Sequence, residues 1–297
     1  MGEAKRGEVT VIKPFGTPQA ETRFFAAYDR VLARWPIQVE AVDLASEFGS
    51  THLQVCGPED APPLVLLSAG GATSTVWFNN VADLARNHRV YAVDTIGDVG
   101  RSRAEGRPVT TREDLMTWLD GVLDGLGLLG AAVVGHSYGA WIGLGYALHA
   151  PQRVRALALL DPTECFTGMR TGYLLRAVPL FVHPTAGSMR RLLRWESAGA
   201  DFDPDWLELT ALGAADFPTS KPVVGPRPEP DRLAGCTVPT LVLLAERSRA
   251  HDVAAVARGA RRLMPRAVVS TLPGVSHHEM PMRHAAELNR ELLALLG

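Results

Sequence analysis

Apolar residues recur along this 297-residue chain in two patterns. Short, nearly continuous runs at 64–67, 90–93, 132–134, 157–160 and 241–244 are what strands buried on both faces of a parallel sheet require. Between most of them lie longer stretches with apolar residues at helical spacing, at 77–86, 111–126, 138–150, 252–264 and 282–296. Strand alternating with helix predicts an α/β fold, a mostly parallel doubly wound sheet with helical crossovers. Ahead of it, residues 21–35 set Phe24, Phe25, Tyr28, Val31 and Leu32 on one helical face, with Pro36 as the stop, which predicts an amphipathic helix packed on the domain. Residues 39–44 and 51–56 alternate apolar and polar side chains around Gly49 and Ser50, as two antiparallel strands do.

The alternation breaks between Pro162 and Val238. Phe166, Tyr173, Phe181, Trp195, Phe202, Trp206 and Phe217 sit there among helical patches, followed by a proline-rich stretch at 218–230. An insertion after the sixth strand would cover the carboxyl ends of the sheet, where open α/β sheets bind ligands. The chain therefore divides into a core at 1–161 and 239–297 and a helical cap at 162–238. Its aromatics are expected to line an apolar pocket or to form the cap's own small core.

Composition narrows the classes of partner. Thirty basic and 32 acidic side chains spread along the chain give a net charge of −2, and no polybasic arm argues for nucleic acid or an anionic membrane surface. Cys56, Cys165 and Cys236 are an odd number without C-x-x-C spacing, so neither a disulfide framework nor a zinc site is expected. Residues 1–9 mix charges without an apolar core, and no run approaches the length of a membrane span, which points to the cytoplasm. A small-molecule substrate is the expected partner, with no cofactor or metal; oligomeric state is left open.

The sharpest chemical signal is Ala-Ala-Val-Val-Gly-His-Ser-Tyr-Gly at 131–139. An apolar strand runs into G-x-S-x-G, and helix-forming sequence follows at once, as a nucleophile elbow requires. Ser137 is the candidate nucleophile. Gly135 and Gly139 keep side chains out of the crowded turn, and the helix N-terminus behind it favours negative charge.

With these motifs the chain resembles the α/β-hydrolase superfamily from about Val39 to its end. Leu-Pro-Gly-Val-Ser-His-His-Glu-Met-Pro at 272–281 matches the loop that carries the family's general base, and the spacing from Gly274 implies His277 rather than His278. Two further segments, Gly-Pro-Glu-Asp-Ala-Pro-Pro-Leu-Val-Leu-Leu at 57–67 and Val-Tyr-Ala-Val-Asp-Thr-Ile-Gly-Asp-Val-Gly-Arg-Ser at 90–102, look like bacterial carboxylesterases of that superfamily. Asp94, Gly97 and Asp98 within the second read as residues that shape a loop.

Two positions depart from the family pattern. Ser68-Ala69-Gly70-Gly71 stands where relatives commonly read His-Gly-x; Gly70 falls at the donor position, so the resemblance implies an oxyanion hole from the N–H groups of Gly70 and Tyr138. After the seventh strand, where most relatives carry the acid that orients the base, this chain reads Ala245-Glu246-Arg247-Ser248. Asp161, directly after the sixth strand, occupies the place from which haloalkane dehalogenases supply their acid; Asp252 and Glu164 are the alternatives. A dyad without an acid is the remaining arrangement. These residues predict a serine hydrolase of an ester, lactone or thioester of an apolar small molecule. The altered positions keep two other readings open: a non-hydrolytic cyclase, lyase or acyltransferase, and a ligand-binding protein with a disabled site.

Overall fold

The computed structural model describes residues 15–217 and 222–297. Residues 1–9, and 218–221 of the proline-rich stretch, lie outside the described residues.

The chain enters through α1 (Pro18–Leu32), whose N-cap Thr17 accepts from Ala20 N and whose first residue is proline. Strands β1 (Glu40–Ser46) and β2 (Gly49–Cys56) then form an antiparallel pair. β3 (Pro63–Leu67), α2 (Val81–Leu84), β4 (Arg89–Val93), α3 (Arg112–Gly125), β5 (Ala131–His136), α4 (Tyr138–His149) and β6 (Val154–Leu160) follow. Four helices come next: α5 (Thr171–Val182), α6 (Ala186–Glu196), α7 (Pro204–Asp216) and α8 (Pro230–Ala234). β7 (Thr240–Ala245), α9 (Val253–Leu263), β8 (Val268–Leu272) and α10 (Ala285–Leu296) complete the described chain. The eight strands form one sheet in the order β1-β2-β4-β3-β5-β6-β7-β8, parallel from β4 through β8. This is the doubly wound α/β architecture that the apolar runs predict.

The runs are continuous because both faces are covered. In β3, Leu64 and Leu66 enter one apolar layer with α1 and α10, while Val65 and Leu67 enter the opposite layer with α3 and α4. Successive side chains of a strand point to opposite faces, so a strand between two cores must be apolar throughout.

Several boundaries differ from the sequence reading. β8 is absent from the apolar runs because it is the edge strand and half-exposed, with Val268 at the surface. The single helix expected at 77–86 is a 3-10 turn, Ser74–Asn79, followed by the short α2. The Asn79 and Asn80 side chains there are drawn into tertiary bonds with Met282 O and Asn289 Oδ1, at 2.7 and 2.9 Å. α10 starts at Ala285 because His284 takes a left-handed conformation, φ 55°. α1 ends at Leu32, and Trp35 instead donates its indole N–H to Thr75 O.

The insertion does not behave uniformly. Trp206 of α7 and Phe217 are buried in the same apolar layer as Phe24 of α1, so they belong to the main core. Trp195 packs with Tyr173 at a smaller cluster, its ring overlaid by the guanidinium groups of Arg176 and Arg249. Among the described residues no helix is long and apolar enough to cross a membrane. All three cysteines are buried and unpaired with one another.

Candidate active site

Parallel strands bring several loops to one edge of the sheet. Ser137 follows β5, Asp161 follows β6, the 246–252 loop follows β7 and the 273–284 loop follows β8. Ser137 has φ 54° and ψ −110°, outside the regions that L residues ordinarily occupy. Such strain costs on the order of 1–3 kcal/mol and persists only where the surroundings impose it. The turn is tight enough to demand its glycines: a Cβ on Gly135 would lie 2.3 Å from Gly139 O, and one on Gly139 would lie 2.4 Å from Leu67 O.

Around Ser137 the polar groups form a line. Ser137 Oγ donates to His277 Nε2 at 2.8 Å, and His277 Nδ1 donates to Asp161 Oδ2 at 2.5 Å. An ionised carboxylate only accepts, which fixes this tautomer of the imidazole. Asp161 itself sits at φ 41° and is fully buried. Its second oxygen, Oδ1, accepts from Ala245 N and from His251 Nε2, each at 3.0 Å. His277 is also fixed through its backbone. Its N–H donates to Glu196 Oε1 at 2.9 Å, and its carbonyl accepts from His136 Nε2 at 3.0 Å.

The other two candidate acids are engaged elsewhere. Asp252 caps α9, accepting from Ala255 N at 2.9 Å, and its side chain is half exposed. Glu164 accepts from Met169 N at 3.0 Å and lies near Arg227. Neither touches His277. Ser248, at the family's acid position, does not reach the imidazole either; its buried hydroxyl has no partner among the described residues. His278 points away, with its Nε2 3.1 Å from Tyr173 OH.

Charge singles out one imidazole. Burial alone would depress His277, but the hydrogen bond and charge of Asp161, then the charge of Glu196, outweigh it and raise the ring above 6.5. Burial pushes His136 down to about 3 and holds His278 well below the ordinary range. Asp161 is lowered: burial disfavours its charge, but His251 and His277 more than offset that.

At the proposed oxyanion loop, a Cβ on Gly70 would lie 3.5 Å from Tyr138 Cβ, so the two backbones approach closely. Tyr138 opens α4, where the first N–H groups have no partner within the helix. The next N–H along the loop, that of Gly71, is taken by Asp98, with contacts of 3.0 and 3.2 Å to its two oxygens. Asp98 also accepts from Val99 N, and burial pushes it up to about 6. Asp94 accepts from Ser74 N, Arg101 N and Tyr28 OH, which fits the reading of both aspartates as loop-shaping residues.

Sequence reasoning missed His251, Glu196, Glu279 and His136. The first lies in the loop searched only for a carboxylate. Glu279 accepts from Ser276 N at 3.1 Å and pairs with Arg283, which tightens the base loop. Among the described residues no cluster of side chains has a metal-binding arrangement.

Comparisons with known proteins bear on the family and the fold. A family model described as the alpha/beta hydrolase family matches residues 64–291. A Bacillus subtilis (strain 168) protein named as an uncharacterized carboxylesterase, nap, is 29% identical over 265 residues, covering 86% of each chain. Carboxylesterase YbfK of the same organism is 39% identical over 152 residues, 51% of each. Among solved structures, naproxen esterase (carboxylesterase NP) from Bacillus subtilis superposes with a TM-score of 0.87 at 27% identity, covering 95% of this chain and 99% of that one. Carboxylesterase CesB (YbfK) superposes at 0.88 and 28%, covering 94% and 98%.

Proposed function

The chain belongs to the alpha/beta hydrolase family, and from that premise we propose that it is a serine hydrolase of carboxylic esters, lactones or thioesters with an apolar body. The observation that carries this reading is the unbroken line Ser137 Oγ, His277, Asp161, with contacts of 2.8 and 2.5 Å, on a strained elbow. Similarity to two Bacillus carboxylesterases supports the ester as the bond cleaved.

The chemistry follows from the tautomer. Ser137 Oγ attacks the acyl carbon while His277 Nε2 takes its proton; the imidazolium that forms is stabilised by Asp161. Negative charge on the carbonyl oxygen is met by the N–H groups of Gly70 and Tyr138. His277 then returns the proton to the departing alcohol or thiol, which leaves an acyl group on Ser137. Water, activated by the same imidazole, releases the acid and restores the serine. The inserted helices act as a cap, tied to the loop of His277 through Glu196, over a site in which Ser137 is only 8% exposed and His277 2%.

The non-hydrolytic and binding readings drew on Ser248 and on the altered oxyanion loop. Asp161 supplies an acid without Ser248, and a backbone donor does not depend on the side chains at 68 and 69. The test is hydrolysis of a series of p-nitrophenyl esters. Activity is expected for the wild type, with Ser137→Ala reducing kcat by about 10^4 to 10^6-fold. A folded wild type inert towards every ester, or a Ser137→Ala variant that stays active, overturns the reading.

A further inference from the structure

The loop that carries His277 is gripped by a carboxylate from the inserted helices. Glu196, the last residue of α6, is 1% exposed. Its Oε1 accepts from His277 N at 2.9 Å; its Oε2 accepts from Ser276 Oγ at 3.0 Å and from His278 N at 3.3 Å. Among the described residues no arginine is bonded to it. A buried carboxylate is tolerated only where donors replace its hydration, and here all the donors come from three consecutive residues of the base loop. A neutral residue would lighten the burial penalty, so the charge itself calls for a role.

We propose that Glu196 is a positioning residue: it fixes the backbone of the base loop so that His277 bridges Ser137 and Asp161, and it holds a negative charge beside the ring that becomes cationic during attack. His277 is thereby held at four points, by Asp161 and Ser137 at its ring and by Glu196 and His136 at its backbone. Three of those holds come from the core sheet, Ser137 and His136 at the end of β5 and Asp161 after β6, and the fourth, Glu196, comes from the inserted helices. A displacement of α6 therefore reaches the base directly, which makes the cap part of the catalytic geometry as well as a cover. This inference rests on the proposed roles of Ser137, His277 and Asp161.

The charged and titratable groups facing His277 are Asp161 after β6, His251 after β7, His136 on β5, His278 beside it and Glu196 on α6, with Glu279 and Tyr173 behind the loop. Removing one negative charge from this set lowers the affinity of the ring for a proton.

The experiment pairs kinetics with histidine-selective NMR, the His277 signal being identified by its loss in His277→Asn. Glu196→Gln is expected to lower the His277 titration midpoint by about one pH unit and to move the acid limb of kcat/KM to lower pH by the same amount. Its kcat is expected to fall about tenfold with KM changed less than about twofold, since Glu196 is buried and its oxygens are taken up by the base loop. Glu196→Asp keeps the charge but retracts it by one methylene, so kcat should fall while the midpoint moves by less than about half a unit. It also carries the test if the glutamine variant fails to fold. An unchanged midpoint in Glu196→Gln, or an undiminished kcat in Glu196→Asp, overturns the proposal. The NMR midpoint is read without substrate, so failure of the hydrolase reading, seen in the wild type and Ser137→Ala, remains separate from failure of this one.

Discussion

Asp161 accepts three hydrogen bonds, two of them from imidazoles, and divides its oxygens between them: Oδ1 for His251 and Ala245, Oδ2 for His277. Only Oδ2 faces the base, so the direction of its lone pairs decides where the imidazole points. Asp161→Asn presents either a carbonyl without charge or an amide donor to Nδ1, which favours the wrong tautomer. Its kcat is expected to fall by about 10^3 to 10^4-fold with the far-ultraviolet spectrum unchanged. Asp252→Asn, which alters a helix cap on the surface, should leave kcat within about twofold, because asparagine caps as well as aspartate. The sign of the pH dependence follows from His277. The proposed base, His277, works when neutral, and its folded-state value is raised, so kcat/KM should fall as pH drops through a midpoint above 6.5. An acid limb well below that value in the wild type would contradict the assigned partners.

At this scale the sequence made some residues legible and hid others. Ser137 announces itself because strand, G-x-S-x-G and helix are contiguous, and Asp161 is singled out by resemblance, standing after the sixth strand where haloalkane dehalogenases carry their acid. His251 lies 90 residues from Asp161, and Glu196 lies 81 from His277. Neither sits in a local pattern, and a contact made by long-range packing leaves no periodic trace in the chain.

Elements were legible in proportion to their burial. Strands between two apolar layers read as continuous runs, whereas β8, half-exposed at the edge, did not. Polar residues that bond across the fold, Asn79 and Asn80, interrupted a helix that spacing alone would continue. The inserted helices needed the structure most. Spacing treats Trp195 and Trp206 alike, yet Trp206 is 3% exposed in the main core, packed on Phe202, and Trp195 is half-buried beneath two guanidinium groups. The two roles expected of these aromatics, pocket lining and core, therefore separate. Trp206→Ala should destabilise the fold by about 3–5 kcal/mol in urea unfolding and leave the preference among esters unchanged. Trp195→Ala should change the ratio of kcat/KM between long-chain and acetate esters more than it changes stability, since it removes apolar surface beside Tyr173, whose hydroxyl lies 3.1 Å from His278 Nε2. Equal loss with both esters in Trp195→Ala would assign it to the core as well.

For the whole molecule, one mostly parallel sheet explains why residues from 70 to 277 meet. Each parallel strand ends at the same edge, so the proposed oxyanion loop after β3, the elbow after β5, Asp161 after β6 and His277 after β8 are brought together by topology rather than by sequence proximity. That architecture was legible from the alternation of apolar runs and helical stretches. The grip of α6 on the base loop was not, because it depends on how the insertion folds back over the sheet. The central claim is that this assembly makes Ser137 a nucleophile that carries an acyl group. It is tested most directly by peptide mass spectrometry after treatment of the native protein with a fluorophosphonate. The account predicts a single adduct, on the peptide containing Ser137, formed rapidly in the wild type and much more slowly in His277→Asn. A folded protein that forms no adduct, or one labelled at another residue, would contradict it.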